Sequence, residues 1–414
     1  MTRGAGSARP AARYVGVARA STLPHPARLG PAPLTVAWMR PRRGVYAAGT
    51  GAAGRRGGAE GPEAAAVRWL DAPPDDLVGP WFGGWGFAPG DAWAGFADEQ
   101  WVLPELLAWG PPGRVRVAAF APVGTPRAAL EARLDAAVDT PAGPSPGEVR
   151  REPGDAEAWA LRVRRALDAI ATGELRKIVL ARALSVRAER AFDPRRVLER
   201  LVAAHPDAWT YLATSPDGDA FLGASPETLC DVTDGQLATE ALAGTARAGA
   251  EGDLDGAKER LEHQLVVDAI VERLGSMCAG VEVAPRPHVE AQGSLRHLCT
   301  PVLAALRPGV EALAVARALH PTPAVAGTPT AAATAWIARL EEARRGWYAG
   351  AIGACGEDRL TLGVALRGAR LAGRGATLFV GAGIVPGSDA GAEWAETELK
   401  ASVMLRALEE RDGE

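Results

Sequence analysis

From residue 347 onward the sequence alternates strand pattern and glycine three times before one long helix, and this order leaves few folds open. Residues 347–355, 360–371 and 376–380 read as successive strands on Gly-bearing turns, and 391–408 read as the final helix. Earlier, 156–172 has helical spacing and stops at Gly173, while 254–278 is a long helical pattern closed near Gly280. Residues 176–186 read as a strand with Ile178, Val179 and Leu180 at its apolar centre, and 219–224 as a shorter one ending at Ser225-Pro226. Strands in series, with helices elsewhere, predict an α+β chain with large antiparallel sheets.

Which residues carry chemistry is suggested by what is scarce. Of 46 basic residues only Lys177, Lys258 and Lys400 are lysines, Asn is absent, and Ile occurs six times. Such a chain looks written in GC-rich codons, with Arg wherever a generic cation is enough. The surviving lysines are candidates for work Arg cannot do, since Lys can lose its proton when desolvated and Arg stays charged. A net charge of −4 gives no reason to expect nucleic acid or membrane as partner, and no apolar run reaches the ~18 residues of a membrane span. Cys230, Cys278, Cys299 and Cys355 are scattered without CxxC pairing, which argues against zinc and fits a reducing cytoplasm.

Three parts are expected along the chain. Residues 1–60 are rich in Arg, Ala, Gly and Pro, and Glu60 is the first carboxylate. That composition suits a disordered segment, either a transit peptide or the loosely assigned start of a bacterial chain, and the codon signature favours the second. Residues 61–150 form an N-terminal portion, bounded by a Pro/Gly-rich linker at 141–153. Residues 151–414 hold the motifs.

Glu393, Glu396 and Lys400 fall at i, i+3 and i+7, which puts two carboxylates and an ammonium on one helical face. The preceding Gly381-Ala382-Gly383-Ile384-Val385-Pro386-Gly387 reads as a Gly-rich turn offering backbone N–H groups to an anion. On the earlier long helix Lys258 and Glu262 share a face at i, i+4, and His263 follows. One carboxylate from each helix suits a hard divalent ion. Glu227 ends a strand in a Gly/Pro-shaped turn and is placed to line a cleft. Gly244-Thr245 offers amides and a hydroxyl to a substrate carboxylate. Arg367, read within a strand, suits a bidentate clamp on a carboxylate. Each segment also has a plain structural reading: a solvated acidic face, a tight turn, a sheet-edge salt bridge, a satisfied histidine at 297 or 320.

Together these strings resemble the chorismate-utilising enzymes. The resembling strings are Lys177-Ile178-Val179-Leu180-Ala181-Arg182, Phe221-Leu222-Gly223-Ala224-Ser225-Pro226-Glu227, Leu242-Ala243-Gly244-Thr245-Ala246-Arg247 and Glu262-His263. They continue with His320-Pro321-Thr322-Pro323-Ala324-Val325-Ala326-Gly327, Arg345-Gly346-Trp347-Tyr348-Ala349-Gly350 and the run from Gly381 to Lys400. The resemblance implies one sandwich with a deep central cleft and Mg²⁺-dependent chemistry on chorismate. It gives Glu262 and Glu396 as metal ligands, with Glu393 assisting through water. It gives Arg367, Tyr348 and the amides of Gly381, Ala382 and Gly383 as the grip on the enolpyruvyl carboxylate. Gly244, Thr245, His297 and Lys400 complete the substrate contacts.

Lys177 selects the branch. Adding ammonia needs no base, whereas adding water does, so a lysine here implies a hydrating enzyme with Lys177 as base and Glu227 as the acid that protonates the departing C4 hydroxyl. The expected product is isochorismate. Ala243, where an aminodeoxychorismate-type enzyme would place a nucleophilic lysine, agrees. Salicylate formation by later loss of pyruvate, and a silent chorismate-binding homologue, remain open. So does the destination of the product, menaquinone or siderophore. Nothing in the sequence demands more than a monomer.

Overall fold

The computed structural model describes residues 12–58, 61–62, 67–77, 79–249, 254–292 and 295–409. Two large sheets dominate them, one of thirteen strands and one of ten. Pairing is antiparallel, except where Tyr14–Ala20 lies parallel to Val67–Trp69. The inner faces carry an aromatic core in which Trp38 and Trp209 stack at 4.5 Å. A Cβ added at Gly363 on the facing sheet would come within 3.1 Å of the Trp38 ring. The outer face of the larger sheet buries Leu212, Leu222 and Leu378 with Leu198 and Leu201 of the Pro194–Ala204 helix and Met404 and Leu408 of the Ala390–Leu408 helix. Asp155, Asp193 and Asp389 cap three helices by accepting from backbone amides, as short acidic side chains do best.

The expected partition of the chain is not seen. Residues 12–58 are built into the sheets: Tyr14–Ala20 pairs with Arg116–Pro122, and Leu34–Arg40 with Trp209–Thr214. Trp81–Trp85 pairs with Ala351–Cys355, and Val149–Arg151, inside the expected linker, pairs with the Lys177–Ala188 strand. A shortage of acids marks composition but leaves the short apolar run of a strand buried on both faces intact, as in Val36-Ala37-Trp38-Met39. Residues 1–11 lie outside the described part. The long helix is also shorter than expected, Ala257–Leu274, with Cys278 starting a strand.

The consequential difference lies at 360–371. It is two strands in two different sheets: Arg359–Val364 belongs to the ten-stranded sheet and Gly368–Ala372 to the thirteen-stranded one. Between them Ala365-Leu366-Arg367 crosses the sandwich, with Arg367 at φ 51°. Ala220–Ser225 and Thr228–Thr233 make the reverse crossing through Pro226-Glu227. The two crossings are neighbours. Gly223 pairs with Gly368, Thr228 with Gly363, and the Val364 amide donates to the Glu227 carbonyl at 3.1 Å. Ser225 Oγ donates to the Val364 carbonyl at 2.5 Å.

Fully buried Tyr211 ties this place down by donating from its hydroxyl to the Leu366 carbonyl at 3.0 Å. Gly223 and Gly368 make room for it, since an added Cβ would stand 2.5 and 2.3 Å from that hydroxyl. Tyr211→Phe leaves the carbonyl without this donor. We expect a loss of about 1–3 kcal/mol in chemical denaturation. An unchanged midpoint with an unchanged slope would show that the crossing is held by its backbone ladder alone.

Candidate active site

Both crossings open onto one cavity. Its wall includes Glu227 and Arg367 from the crossings and Thr245, Glu262, His297, Tyr348, Glu396 and Lys400 from the elements around them. Gly244, Gly381 and Gly383 line it as well. Of the residues expected at the site, Lys177, Ala382 and Glu393 are not on this wall.

All three lysines of the chain gather here, each on a different expected glutamate. Lys177 Nζ lies 2.9 Å from Glu262 Oε1, Lys258 Nζ 2.6 Å from Glu393 Oε1, and Lys400 Nζ 2.5 Å from Glu396 Oε1. Lys177, the first residue of its strand, is fully buried behind Glu262. The pair is close, yet its angle makes no hydrogen bond, so the ammonium lacks an aligned acceptor. Burial alone would raise the Glu262 carboxyl. Lys177, helped by Lys400 and Lys258, outweighs it and holds Glu262 below the usual range. Lys258 does not pair with Glu262, one turn along its own helix. It reaches across to the Ala390–Leu408 helix and Glu393, which is 1% exposed and would otherwise be a stranded charge. Burial, then Glu396, raises the Glu393 carboxyl.

Glu227 has the opposite electrostatics. Burial first, and the nearby Glu240 second, push its carboxyl up to about 8. Thr322 Oγ1 donates to it at 3.3 Å. Glu240, which the sequence reading passed over, is itself raised by burial and accepts from the Thr228 amide at 2.7 Å. The signal was an acid inside an apolar strand, Gln236–Arg247, which no motif covered.

His297 is held neutral. Burial, then the Arg367 charge, lowers it to about 3. Its Nδ1 lies 3.0 Å from the Gly244 carbonyl, to which it donates, leaving Nε2 to accept from Arg367 Nη2 at 3.3 Å. These partners fix the tautomer. Gly244, at φ 77°, sits in a bulge between Ala243 and Thr245, where the left-handed backbone requires glycine. Burial lowers Arg367 to about 10 and raises the Tyr348 hydroxyl to about 12. Tyr348 stacks on Phe379 at 5.5 Å. His320 is structural: Trp85 Nε1 donates to its Nδ1, and its Nε2 donates to the Ala349 carbonyl.

The expected Gly-rich turn is a strand. Gly375–Ile384 runs beside the Lys177–Ala188 strand, pairing Val179 with Gly383, Leu180 with Ala382 and Ala181 with Gly381. Val179 and Ala181 give their amides to the Ala326 carbonyl and to Glu341. By the alternation of an antiparallel ladder, Gly383 and Gly381 therefore turn their backbone groups to the open edge. The Gly381 carbonyl accepts from Lys400 Nζ at 3.0 Å. Ala382 faces the other way, fully buried, with its amide in the ladder. The two glycines serve space, not turning: a Cβ at Gly383 would lie 2.2 Å from Glu262 Oε1, and one at Gly381 3.1 Å from the Tyr348 hydroxyl. The helix N-terminus that follows offers no anion site, because Asp389 already takes the Ala392 amide.

Glu262 and Glu396 present carboxylates to the cavity from two helices, a donor set that fits a hard cation. Among the described residues Glu262, Glu393 and Glu396 do not bring three oxygens within 4.8 Å of one another.

Residues 78–409 match the family described as chorismate binding enzyme. A Mycobacterium tuberculosis protein provisionally named isochorismate synthase MenF is 40% identical over 296 residues, 65% of this chain and 78% of that one. The salicylate biosynthesis isochorismate synthase of Pseudomonas aeruginosa is 37% identical over 342 residues, 76% of this chain and 70% of that one. The solved structure of MenF, the menaquinone-specific isochorismate synthase from Escherichia coli, superimposes with a TM-score of 0.79 at 25% identity, covering 97% of this chain and 96% of that one. With four fifths of its length matched, the chain belongs to the chorismate-binding enzymes.

Proposed function

We propose that this protein is an isochorismate synthase, with Lys177 and Glu227 moving the two protons of the reaction. The observation that carries this reading is the pair of opposed carboxyl environments. Glu227 is held protonated toward about 8 and so has a proton to give near neutrality, while Glu262 is held ionised. Water adds through oxygen to ring carbon C2 and loses a proton to the Lys177 amine. The ring double bonds shift, the C4–oxygen bond breaks, and Glu227 protonates the departing oxygen so that it leaves as water. One water enters and one leaves, so the product has the mass of the substrate.

For this, Lys177 must shed its charge. Mg²⁺ is the cation that Glu262 and Glu396 would hold, with Glu393 behind them through water, and it would neutralise and orient the substrate's ring carboxylate. Arg367 and Tyr348, with the edge amides of Gly381 and Gly383, would take the enolpyruvyl carboxylate. Thr245, His297 and Lys400 would close the remaining wall.

Incubating the protein with chorismate and Mg²⁺ should give an isochorismate peak of unchanged mass that EDTA abolishes. Salicylate with pyruvate would indicate further elimination, and no product would favour a silent homologue. Lys177→Ala should lower turnover at least a thousandfold with chorismate affinity within a few-fold. Wild-type turnover would remove Lys177 as the base.

The acid must be protonated, so kcat should fall as pH rises through about 8, the value to which burial and Glu240 push Glu227. Glu240→Gln removes one of the two causes and should move that limb to lower pH. A limb that stays in place would mean another group sets it.

A further inference from the structure

A second group of ligating side chains lies outside this chemistry. His288 and Glu290 alternate along the His288–Gln292 strand and share one face. In the neighbouring Leu295–Leu306 strand Cys299 stands directly opposite His288. The ring nitrogen of His288, a carboxylate oxygen of Glu290 and the sulfur of Cys299 all lie within 4.8 Å of one another, and His288 Nε2 is 3.8 Å from Glu290 Oε2. The sequence hides this group. Its three members come from two strands, with no short cysteine spacing to mark them.

We propose that His288, Glu290 and Cys299 bind a thiophilic divalent ion such as Zn²⁺, separate from the hard-cation carboxylates of the cavity. One thiolate, one imidazole and one carboxylate, with a fourth position open to water, is a donor set that tetrahedral Zn²⁺ accepts and Mg²⁺ does not favour. Bonds of about 2.0–2.3 Å require the three donor atoms to close by about an ångström, within reach of side-chain rotation. Access is one-sided. The His288 side chain is 53% exposed and forms the mouth, Glu290 is half-buried, and the Cys299 sulfur forms the floor.

Charge also balances. The ion is neutralised by the Cys299 thiolate and Glu290. Behind them the Cys299 thiol donates to Glu240 Oε2 at 3.7 Å, and Arg40, with Nη2 3.8 Å from Glu290 Oε1, supplies positive charge to both carboxylates. The thiol proton is released to solvent on binding. Leu242 pairs with Cys299 and His297 with Glu290, and both partners line the catalytic cavity. A bound ion would therefore clamp the two strands one residue pair from the reaction site.

The test is a Co²⁺ titration of the full-length protein, stripped with EDTA and then kept in excess Mg²⁺ so that hard-cation carboxylates are occupied. One equivalent of Co²⁺ should give a thiolate-to-cobalt charge-transfer band in the near ultraviolet, displaced by Zn²⁺. Cys299→Ser should remove the band, and His288→Ala should weaken Co²⁺ binding at least tenfold. Exposed His288 leaves the fold intact when replaced, so that variant decides even if the buried cysteine variant does not fold. No band in the wild-type protein, a band that survives in Cys299→Ser, or unchanged affinity in His288→Ala would each overturn the assignment. The readout is cobalt absorption rather than turnover, so its failure leaves the isochorismate reading untouched.

Discussion

Two crossings side by side organise this molecule. A chain that passes from one sheet to the other leaves the ladders of both for two or three residues; here Ala365 still packs into the aromatic core while Glu227 and Arg367 do not. Here the two passages share hydrogen bonds, Val364 to Glu227 and Ser225 to Val364, so the irregular stretch of one completes the backbone bonding of the other. The result is a polar gap inside a close-packed sandwich, walled by Glu227 on one crossing and Arg367 on the other. Arg367 is held at φ 51°, a conformation a non-glycine residue adopts only when its surroundings impose it. Tyr211 and the glycines that make room for it are part of that imposition.

Around this gap the chain gathers its three lysines, Lys400 on the wall and Lys177 and Lys258 behind it, each on its own glutamate. Arginine does the structural pairing elsewhere. Arg345 makes a buried two-pronged pair with Glu341 and also holds the Val325 and Val179 carbonyls, and Arg151 with Arg182 drives Glu398 down to about 2. Those are fixed, planar contacts, for which a guanidinium is the better tool. Around the cavity the cations are instead single-point ammonium groups. A lysine–glutamate pair can part without leaving a bidentate bond to break. Removing water from such pairs is costly.

Local chemistry was legible in the sequence where it depends on neighbours in the chain. Glu396 and Lys400 pair at i, i+4 as their spacing requires, and Gly244 is at a positive φ. What depends on contacts across the sandwich was not. Lys258 was read onto Glu262 and in fact reaches Glu393 on another helix. Gly381 and Gly383 were read as a turn because glycine most often means a turn. Their reason for being glycine lies across the cavity, in the Glu262 carboxylate and the Tyr348 hydroxyl. The break at Arg367 was invisible for a similar cause: apolar alternation continues through Ala365 and Leu366, and only the change of sheet partner divides the strand. Composition misled once, in setting residues 12–58 apart from sheets they help to build.

The division of labour between carboxylates follows from this non-local arrangement and not from residue type. Glu227 and Glu262 are the same amino acid in the same buried gap, and burial raises both. The ammonium at 2.9 Å from Glu262 reverses the shift there, while a second buried carboxylate, Glu240, adds to it at Glu227. One acid is thereby kept charged and the other kept protonated across the neutral range. A fold that can impose two protonation states on one side-chain type needs no second residue type to keep one carboxyl protonated and another charged. It needs only to choose which strand carries the lysine and which carries the extra acid. That choice is made by Lys177 at the start of one strand and Glu240 in the middle of another, neither of which forms the cavity wall.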